Sequence, residues 1–275
     1  MKLTFSFSSK KSYRYLHDLK RPSFTKYAAN PKNLYQIYIS RSHNPYLNLS
    51  LEHYIFQISP PDSTILLIYS NQPSIILGRN QNPWNEINMG LLRQNMPGVQ
   101  IVRRRSGGGT VFHDEGNVNY SVISSISGFK REKHLKMVVQ ALKSLGMQKI
   151  RFNERHDILI DKVELGGQSE MSFKISGSAF KLTRLRSLHH GTCLLSSPHI
   201  KTISELLNAP AKTFLNVKGV ESVRSRVTNL GIPHTLFQKA IVDQFCSMYS
   251  VVKPVVVDND IETIPEITKG VSQLK

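Results

Sequence analysis

Arginine, glycine and histidine meet in one run, Arg103-Arg104-Arg105-Ser106-Gly107-Gly108-Gly109-Thr110-Val111-Phe112-His113-Asp114. Glycine has no Cβ, so consecutive glycines let backbone N–H groups come close to a ligand. Beside arginines, such a backbone suits a carboxylate or a phosphate. The competing reading is a glycine hairpin carrying solvated charges. Strand-like runs flank the loop, Val99-Gln100-Ile101-Val102 before it and Asn119-Tyr120-Ser121-Val122-Ile123 after it. No Gly-Lys-Ser/Thr follows at the P-loop spacing.

Two further stretches carry charge in unusual company. Lys174 stands inside the alternating run Phe173-Lys174-Ile175-Ser176-Gly177-Ser178-Ala179-Phe180. Burying an unpaired charge is costly, so this lysine either snorkels to solvent or points at an anion. Ser176, Gly177 and Ser178 leave room beside it. The third stretch is Val220-Glu221-Ser222-Val223-Arg224-Ser225-Arg226-Val227-Thr228-Asn229-Leu230, basic and polar. A cationic lysine beside a glycine loop suits acyl-adenylate chemistry, in which a carboxylate attacks an ATP α-phosphate and fixed cations and N–H donors meet the developing charge. Cys193 follows His189 and His190 within a strand pattern and reads as a core cysteine. No Ser-His-Asp or Cys-His arrangement stands at a known spacing. The ten histidines contain no HExxH motif, and the two cysteines lack metal or disulfide-framework spacing.

The elements that must position these residues follow from periodicity. Residues 34–39 alternate as a strand, and Leu47, Leu51, Tyr54 and Ile55 recur at helical spacing over 45–58. Residues 65–69 and 74–78 read as two buried strands around the turn at Asn71-Gln72-Pro73. The only tryptophan, Trp84, falls in a polar loop, followed by a short helix over 86–95. A helix is expected over 130–146 with Gly146 as its C-cap. A polar turn leads into a strand near 158, with a hairpin-like loop containing Gly166-Gly167. Residues 173–180 and 188–195 form an antiparallel pair, 200–207 a short helix and 234–248 the last helix. Strands and helices mix without a βαβ rhythm, which predicts an α+β fold: a mixed, mainly antiparallel sheet flanked by helices.

The 275 residues, 40% hydrophobic and 20% charged, have the composition of a globular protein with one large domain or two small ones, and no apolar run is long enough to span a bilayer. The formal net charge is +17. Residues 1–30 hold seven of the basic groups, rich serine and one acid, Asp18, which is the composition of a mitochondrial transit peptide or of a disordered basic tail. Removing them leaves +11, so the body still favours acidic partners. Nucleic-acid binding is the remote reading of that charge, but the arginines cluster at a glycine loop without interleaved aromatic stacking positions.

Five motifs in order resemble the lipoate-protein ligase A family over roughly residues 35–250. They are Arg-Arg-x-Ser-Gly-Gly-Gly-x-Val-Phe-His-Asp, Asn-Pro-Trp-x-Glu, Lys-Ile-Ser-Gly-Ser-Ala, His-His-Gly-Thr and Ser-Val-Arg-Ser-Arg-Val-Thr-Asn. The resemblance implies the α+β catalytic domain shared with biotin-protein ligases. It implies lipoate and Mg-ATP as substrates, lipoyl-AMP as intermediate, and transfer to a lysine of lipoyl domains, those of 2-oxoacid dehydrogenase complexes and the glycine cleavage H protein, by a monomer in the mitochondrion. Carried over residue by residue, Lys174 holds the lipoate carboxylate and then the adenylate phosphate. Arg104, Ser106, Gly107, Gly108 and Gly109 line the lipoyl and phosphate side, and His113 shapes the pocket. Asn117, Asp157 and Thr192 stand on the nucleotide side, with Arg224 and Arg226 on the loop that covers the adenylate. The Asn that bacterial members commonly carry before the matched aspartate is here His156. On this reading residues 1–30 are a transit peptide, 31–250 the catalytic domain, and 251–275 a polar C-terminal tail too short for the accessory domain of bacterial members. The alternative within the family is a lipoyl or octanoyl transferase that uses an already activated or protein-bound donor without ATP.

Overall fold

A computed structural model describes residues 21–163, 170–215, 218–250 and 253–275. In chain order the elements are α1 (Arg21–Ala28), β1 (Tyr35–Ser40), α2 (Pro45–Ile58), β2 (Thr64–Tyr69), β3 (Ser74–Leu77), α3 (Pro83–Glu86), α4 (Met89–Asn95), β4 (Gln100–Arg103), β5 (Val111–His113) and β6 (Asn117–Ser125). There follow α5 (Lys133–Ser144), β7 (Ile150–Phe152), β8 (Ile158–Val163), β9 (Glu170–Ser176), β10 (Ser178–Leu182), β11 (Arg186–Leu194), α6 (Ile200–Leu206), α7 (His234–Tyr249), β12 (Val255–Val257) and α8 (Pro265–Leu274).

A six-stranded sheet, ordered β10-β11-β6-β2-β1-β12, forms the centre. Its β10, β11, β6 and β2 are antiparallel neighbours, whereas β1 runs parallel to both β2 and β12. Two three-stranded sheets, β4-β3-β5 and β7-β8-β9, stand beside it. The architecture is therefore α+β with mainly antiparallel pairing. The strand β6 shows how one sequence serves two faces. Side chains alternate along a strand, so Val118, Tyr120 and Val122 join the core under α5 and α7. Asn117, Asn119 and Ser121 turn the other way, and Asn119 reaches a cavity.

That cavity lies between the large sheet and the β4-β3-β5 sheet. Tyr69, His190 and Thr192 come from the first, Ile76, Val111 and His113 from the second. Helix α2 closes one end with Leu49. Its start is set locally: Asn44 accepts from the N–H groups of Tyr46 and Leu47, and Pro45 occupies the first turn. Leu47, Leu51 and Ile55 are buried on one face and hold the helix to the sheet.

Several expectations need correction. Within the expected polar tail over 251–275, the described residues 253–275 are folded. The β-branched run at Val255–Val257 extends the large sheet beside β1, and Ile267 and Val271 of α8 bury against the α2 side of the core. Nor does the body begin at residue 31, because Phe24 and Ala28 of α1 are buried, with the Phe24 ring 5.3 Å from that of Tyr38. The rest of the expected presequence, residues 1–20, and the Gly166-Gly167 loop lie outside the described residues. The turn at 71–73 joins two sheets rather than closing a hairpin. The run 173–180 breaks at Gly177, whose carbonyl accepts from the Thr192 N–H, so β9 and β10 enter different sheets. Helix formation around Trp84 begins earlier than expected, with α3, and that ring is half exposed.

Candidate active site

The glycine loop is shaped by arginine from within. Arg104 is buried, and its guanidinium donates to Ser106 Oγ at 3.0 Å, to the carbonyls of Gly107 at 2.6 Å and Gly109 at 2.7 Å, and to Ile76 O at 3.1 Å. Gly108 sits at φ +86°, a left-handed backbone that glycine adopts without strain. Gly78 lies so close beneath the loop that a Cβ there would stand 1.9 Å from Gly108 O.

Behind the loop runs a buried relay. Arg104 Nε donates to Ser106 Oγ, Ser106 Oγ lies 2.7 Å from His190 Nε2, and His190 Nδ1 lies 3.0 Å from Glu52 Oε2. A guanidinium only donates and a carboxylate only accepts. Ser106 Oγ therefore accepts from Arg104, and His190 Nδ1 donates to Glu52, which also accepts from Ser121. Burial raises the Glu52 carboxyl, but His190 and Ser121 hold it below its ordinary value. Burial also lowers Arg104 to about 10, leaving it cationic at neutral pH, opposed by the Glu52 charge.

Lys174 does not snorkel alone. Its Nζ lies 2.8 Å from Asp157 Oδ1, with side-chain exposures of 21% and 7%, so the ion pair is largely shielded from water. Arg155 approaches the other Asp157 oxygen at 3.4 Å. The turn that presents Asp157 is closed by the Asn153 side chain, which accepts from the N–H groups of Arg155 and Asp157. His156 occupies the left-handed region at φ 62°, where Asn, Asp and His are the favoured non-glycine residues. Asn, which the family resemblance led one to expect there, shares this tolerance.

The segment around residues 218–230 closes over the cavity and is pinned at two places. Ser222 Oγ accepts from Thr110 N at 2.8 Å and Gln81 Nε2 at 3.0 Å, and its N–H donates to Glu86. Farther on, Lys174 N donates to Arg226 O and Thr228 N to Lys174 O, a parallel bridge centred on Val227.

Two cavities of about 260 and 160 Å³ meet at this point, together of the size that holds small-molecule ligands. Lys174, Gly177, Thr192, Thr110 and Ser222 line both. Leu49, Tyr69 and Ile76 give the first its apolar wall. Asn117, Leu194, Ile203 and Arg224 belong to the second.

Of the residues expected from sequence, Arg104, Gly108, Gly109, His113, Asp157, Lys174 and Thr192 gather at the first cavity and Asn117 at the second. Ser106 and Gly107 are corrections. Neither reaches the wall, because Ser106 turns inward to His190 and Gly107 N points to Phe180 O. Arg226 faces outward to Met171 Sδ at 3.5 Å, and the Arg224 side chain bonds Asn208. The sequence reading did not single out Glu52 or Gln81, and Glu86, which with Gln81 holds Ser222, entered it only as the last residue of the Asn-Pro-Trp-x-Glu motif, without a role. Glu52 had a signal, an acid directly beside the apolar stripe of Leu51 and Ile55. Arg155 had none, since its reach depends on the turn. Among the described residues no three His, Cys, Asp or Glu side chains cluster to hold a metal ion.

A two-sheet α+β cleft with an ion-paired lysine at the joint of two cavities defines a site for a small anionic ligand. The profile of the lipoyl protein ligase A/B catalytic domain matches residues 44–246, and the chain belongs to that family. A Schizosaccharomyces pombe relative in the lipoate-protein ligase A group is 44% identical over 210 residues, covering 76% of this chain and 54% of that protein. Lipoate-protein ligase A of Bdellovibrio bacteriovorus is 35% identical over 246 residues, 87% of this chain and 69% of the relative. The chain thus spans between about half and two thirds of the length of these relatives. P. falciparum LipL1, solved in complex with lipoate, superposes with a TM-score of 0.70 at 26% identity, covering 88% of this chain and 72% of that one.

Proposed function

We propose that this protein is an ATP-dependent lipoate-protein ligase. The observation that carries the reading is the position of Lys174, whose ammonium stands where a cavity with an apolar wall of Leu49, Tyr69 and Ile76 meets a second one. An acyl chain in the first brings its carboxylate to Lys174, and a nucleotide in the second brings its α-phosphate to the same cation. The carboxylate oxygen attacks the α-phosphorus, the bond to the β-phosphate oxygen breaks, and pyrophosphate leaves. The acceptor lysine, as free amine, then attacks the acyl carbon, AMP departs with the bonding pair, and an amide remains. Lys174 and the loop N–H groups stabilise the charge at each stage. Closure of the segment at Ser222 keeps water from the mixed anhydride.

The acyl donor is lipoate, the solved ligand of the LipL1 neighbour. Mg2+ would come with ATP, neutralising phosphate charge. Asn117 Oδ1, buried without a partner among the described residues, is an oxygen donor on the side of the second cavity, whereas both Asp157 oxygens are already taken up by Lys174 and Arg155. The acceptors would be lipoyl domains of 2-oxoacid dehydrogenase complexes and the H protein, served by a monomer in the mitochondrion. The targeting signal would end before α1, whose Phe24 belongs to the core. A reporter fused to residues 1–20 that stays in the cytosol would remove the location.

The ligase is tested by intact-mass measurement of an apo lipoyl domain after incubation with the protein, lipoate and Mg-ATP. A lipoyl mass increment that needs ATP and disappears in Lys174→Ala is the expected result. An increment only from supplied lipoyl-AMP or another activated donor makes the protein a transferase. No increment from any donor overturns both.

A further inference from the structure

The acyl carbon held at Lys174 must be met by an amine that comes from outside, because the apolar arm walled by Leu49, Tyr69 and Ile76 is taken by the acyl chain. The covering segment and its neighbours carry two surface features that the chemistry above does not use. The first is an apolar ridge. Phe214 is 88% exposed, Val223 61% and Trp84 52%, and Val220 is exposed as well. These side chains stand on three segments tied to one another. A tight helical turn at Pro210–Phe214 lies against α3, which carries Trp84. Lys212 of that turn reaches Glu221 of the covering segment at 2.8 Å. Val220 N donates to Asn80 O at 3.1 Å, just ahead of α3. Exposed apolar side chains scattered singly need no partner, but gathered around one opening they mark an interaction site.

The second feature is an open cationic groove. It is continuous with the second cavity, since Arg224 and Val227 line both. Lys201 and Arg226 add charge to it, and Phe173 and Ile200 give it apolar surface. The arginines here are bonded to Asn208 and to Met171, not to a carboxylate. Along residues 210–227 the chain has four basic side chains, Lys212, Lys218, Arg224 and Arg226, against one acid, Glu221, which Lys212 already pairs. Ridge and groove adjoin at Val223. That residue is exposed and lines both cavities, so the cavities reach the surface there, beside the joint at Lys174.

We infer that ridge and groove together are the docking surface for the acceptor protein, whose matching face carries apolar and acidic side chains around the lysine to be modified. The inference rests on the ligase reading of the cavities. Charge selects this occupant over a second copy of the chain. The body is basic, +11 even without its first 30 residues, so copies of it repel one another whereas an acidic acceptor is drawn in. Contact with Phe214 and Trp84 supplies affinity, as aromatic anchors do at protein interfaces. The groove cations set the register, so that the acceptor lysine enters beside Val223 and reaches the acyl carbon.

The test is acyl transfer from supplied lipoyl-AMP to an apo lipoyl domain by the full chain, as wild type, Phe214→Ser and Lys201→Glu. Neither side chain lines either cavity. Phe214→Ser should raise the acceptor KM about thirtyfold, the worth of a hot-spot aromatic. Lys201→Glu should raise it about fivefold, an increase that fades as salt is added. In both variants kcat and the Kd for lipoyl-AMP should stay within about twofold, which a merely structural role of the covering segment would not allow. An acceptor KM unchanged by either substitution overturns the inference, as does a Kd for lipoyl-AMP that weakens in step with KM. Sizing of the wild type and of Phe214→Ser supplies one more outcome: an oligomer that the substitution splits assigns the ridge to a second copy and overturns the inference. A wild type that transfers to no acceptor removes the enzyme reading itself and the inference with it, a result distinct from an unchanged KM in an active enzyme.

Discussion

Replacing Asp157 by asparagine separates two effects of one carboxylate. Asp157 lies 2.8 Å from Lys174 Nζ, and both side chains are mostly buried. At an effective dielectric near 20, unit charges at that separation attract by about 6 kcal/mol before desolvation is counted. Removing one partner of a fully buried pair costs about 3–5 kcal/mol, and the one-fifth exposure of Lys174 reduces this to roughly 2 kcal/mol. In a domain of this size that is a fall in Tm of about 4–8 °C. Ligand binding should move the other way. A carboxylate seated on Lys174 is repelled by Asp157 across about 4 Å, an interaction between about 1 and 4 kcal/mol depending on screening. Losing that repulsion should tighten lipoate binding by between about 5-fold and several hundredfold. Acyl transfer should nevertheless slow, because the lysine loses the group that orients it. Thermal melts, calorimetric titration with lipoate and the mass assay measure the three quantities. A variant that melts at the wild-type temperature and binds lipoate more weakly would refute the reasoning, since the carboxylate would then serve the ligand and not the lysine.

Gly78→Ala should abolish lipoate binding while the far core persists, because a Cβ only 1.9 Å from Gly108 O must push the glycine loop into the cavity; calorimetry with circular dichroism checks both, and unchanged affinity would show that the loop yields freely. Stability should fall as pH drops below about 6.5, since burial holds His113 and His134 at about 3 and His189 well below its ordinary value. The folded state then binds fewer protons than the unfolded one, so each such group removes up to about 1.4 kcal/mol per pH unit through this window. The depressed Glu52 carboxyl adds in the same direction at lower pH. Urea melts from pH 8 to pH 5 read the slope, His134→Gln should flatten it, and a flat wild-type profile would show that these histidines protonate without unfolding.

The ordered half of this fold was legible because periodicity and burial coincide. Helices α2, α6 and α7 fall within a residue or two of the expected spans, since Leu47, Leu51 and Ile55 repeat at helical spacing and lie in the core. The C-terminal segment shows the limit of such reading. Ile264, Ile267 and Val271 also repeat at helical spacing, and all are buried, but polar neighbours dilute the pattern over a short window. The site was legible in its residues and not in their directions. Lys174 stood out as a charge in an alternating strand, and Asp157 stood in a turn, but their pairing requires β8 and β9 to be neighbours. Nothing local told Arg224 and Arg226 to face away from the apolar arm.

The three consecutive arginines make the same point from the other side. They read as an anion clamp, but each is turned to its own chain. Arg103 donates to the carbonyls of Gly78, Arg79 and Gln81. Arg104 ties the glycine loop from inside. Arg105 reaches out to Gly270 O and Gln273 of α8. A guanidinium whose donors are satisfied by carbonyls brings charge to a cavity but no free fork to grip a carboxylate. The arginines therefore build the wall, and recognition of an anion falls to Lys174 and the loop N–H groups. That division explains why the small glycines and the large arginines stand together: the first leave space for the backbone to approach, and the second hold that backbone still. It also makes α8 part of the site's support, since Arg105 links it directly to the loop that Arg104 shapes.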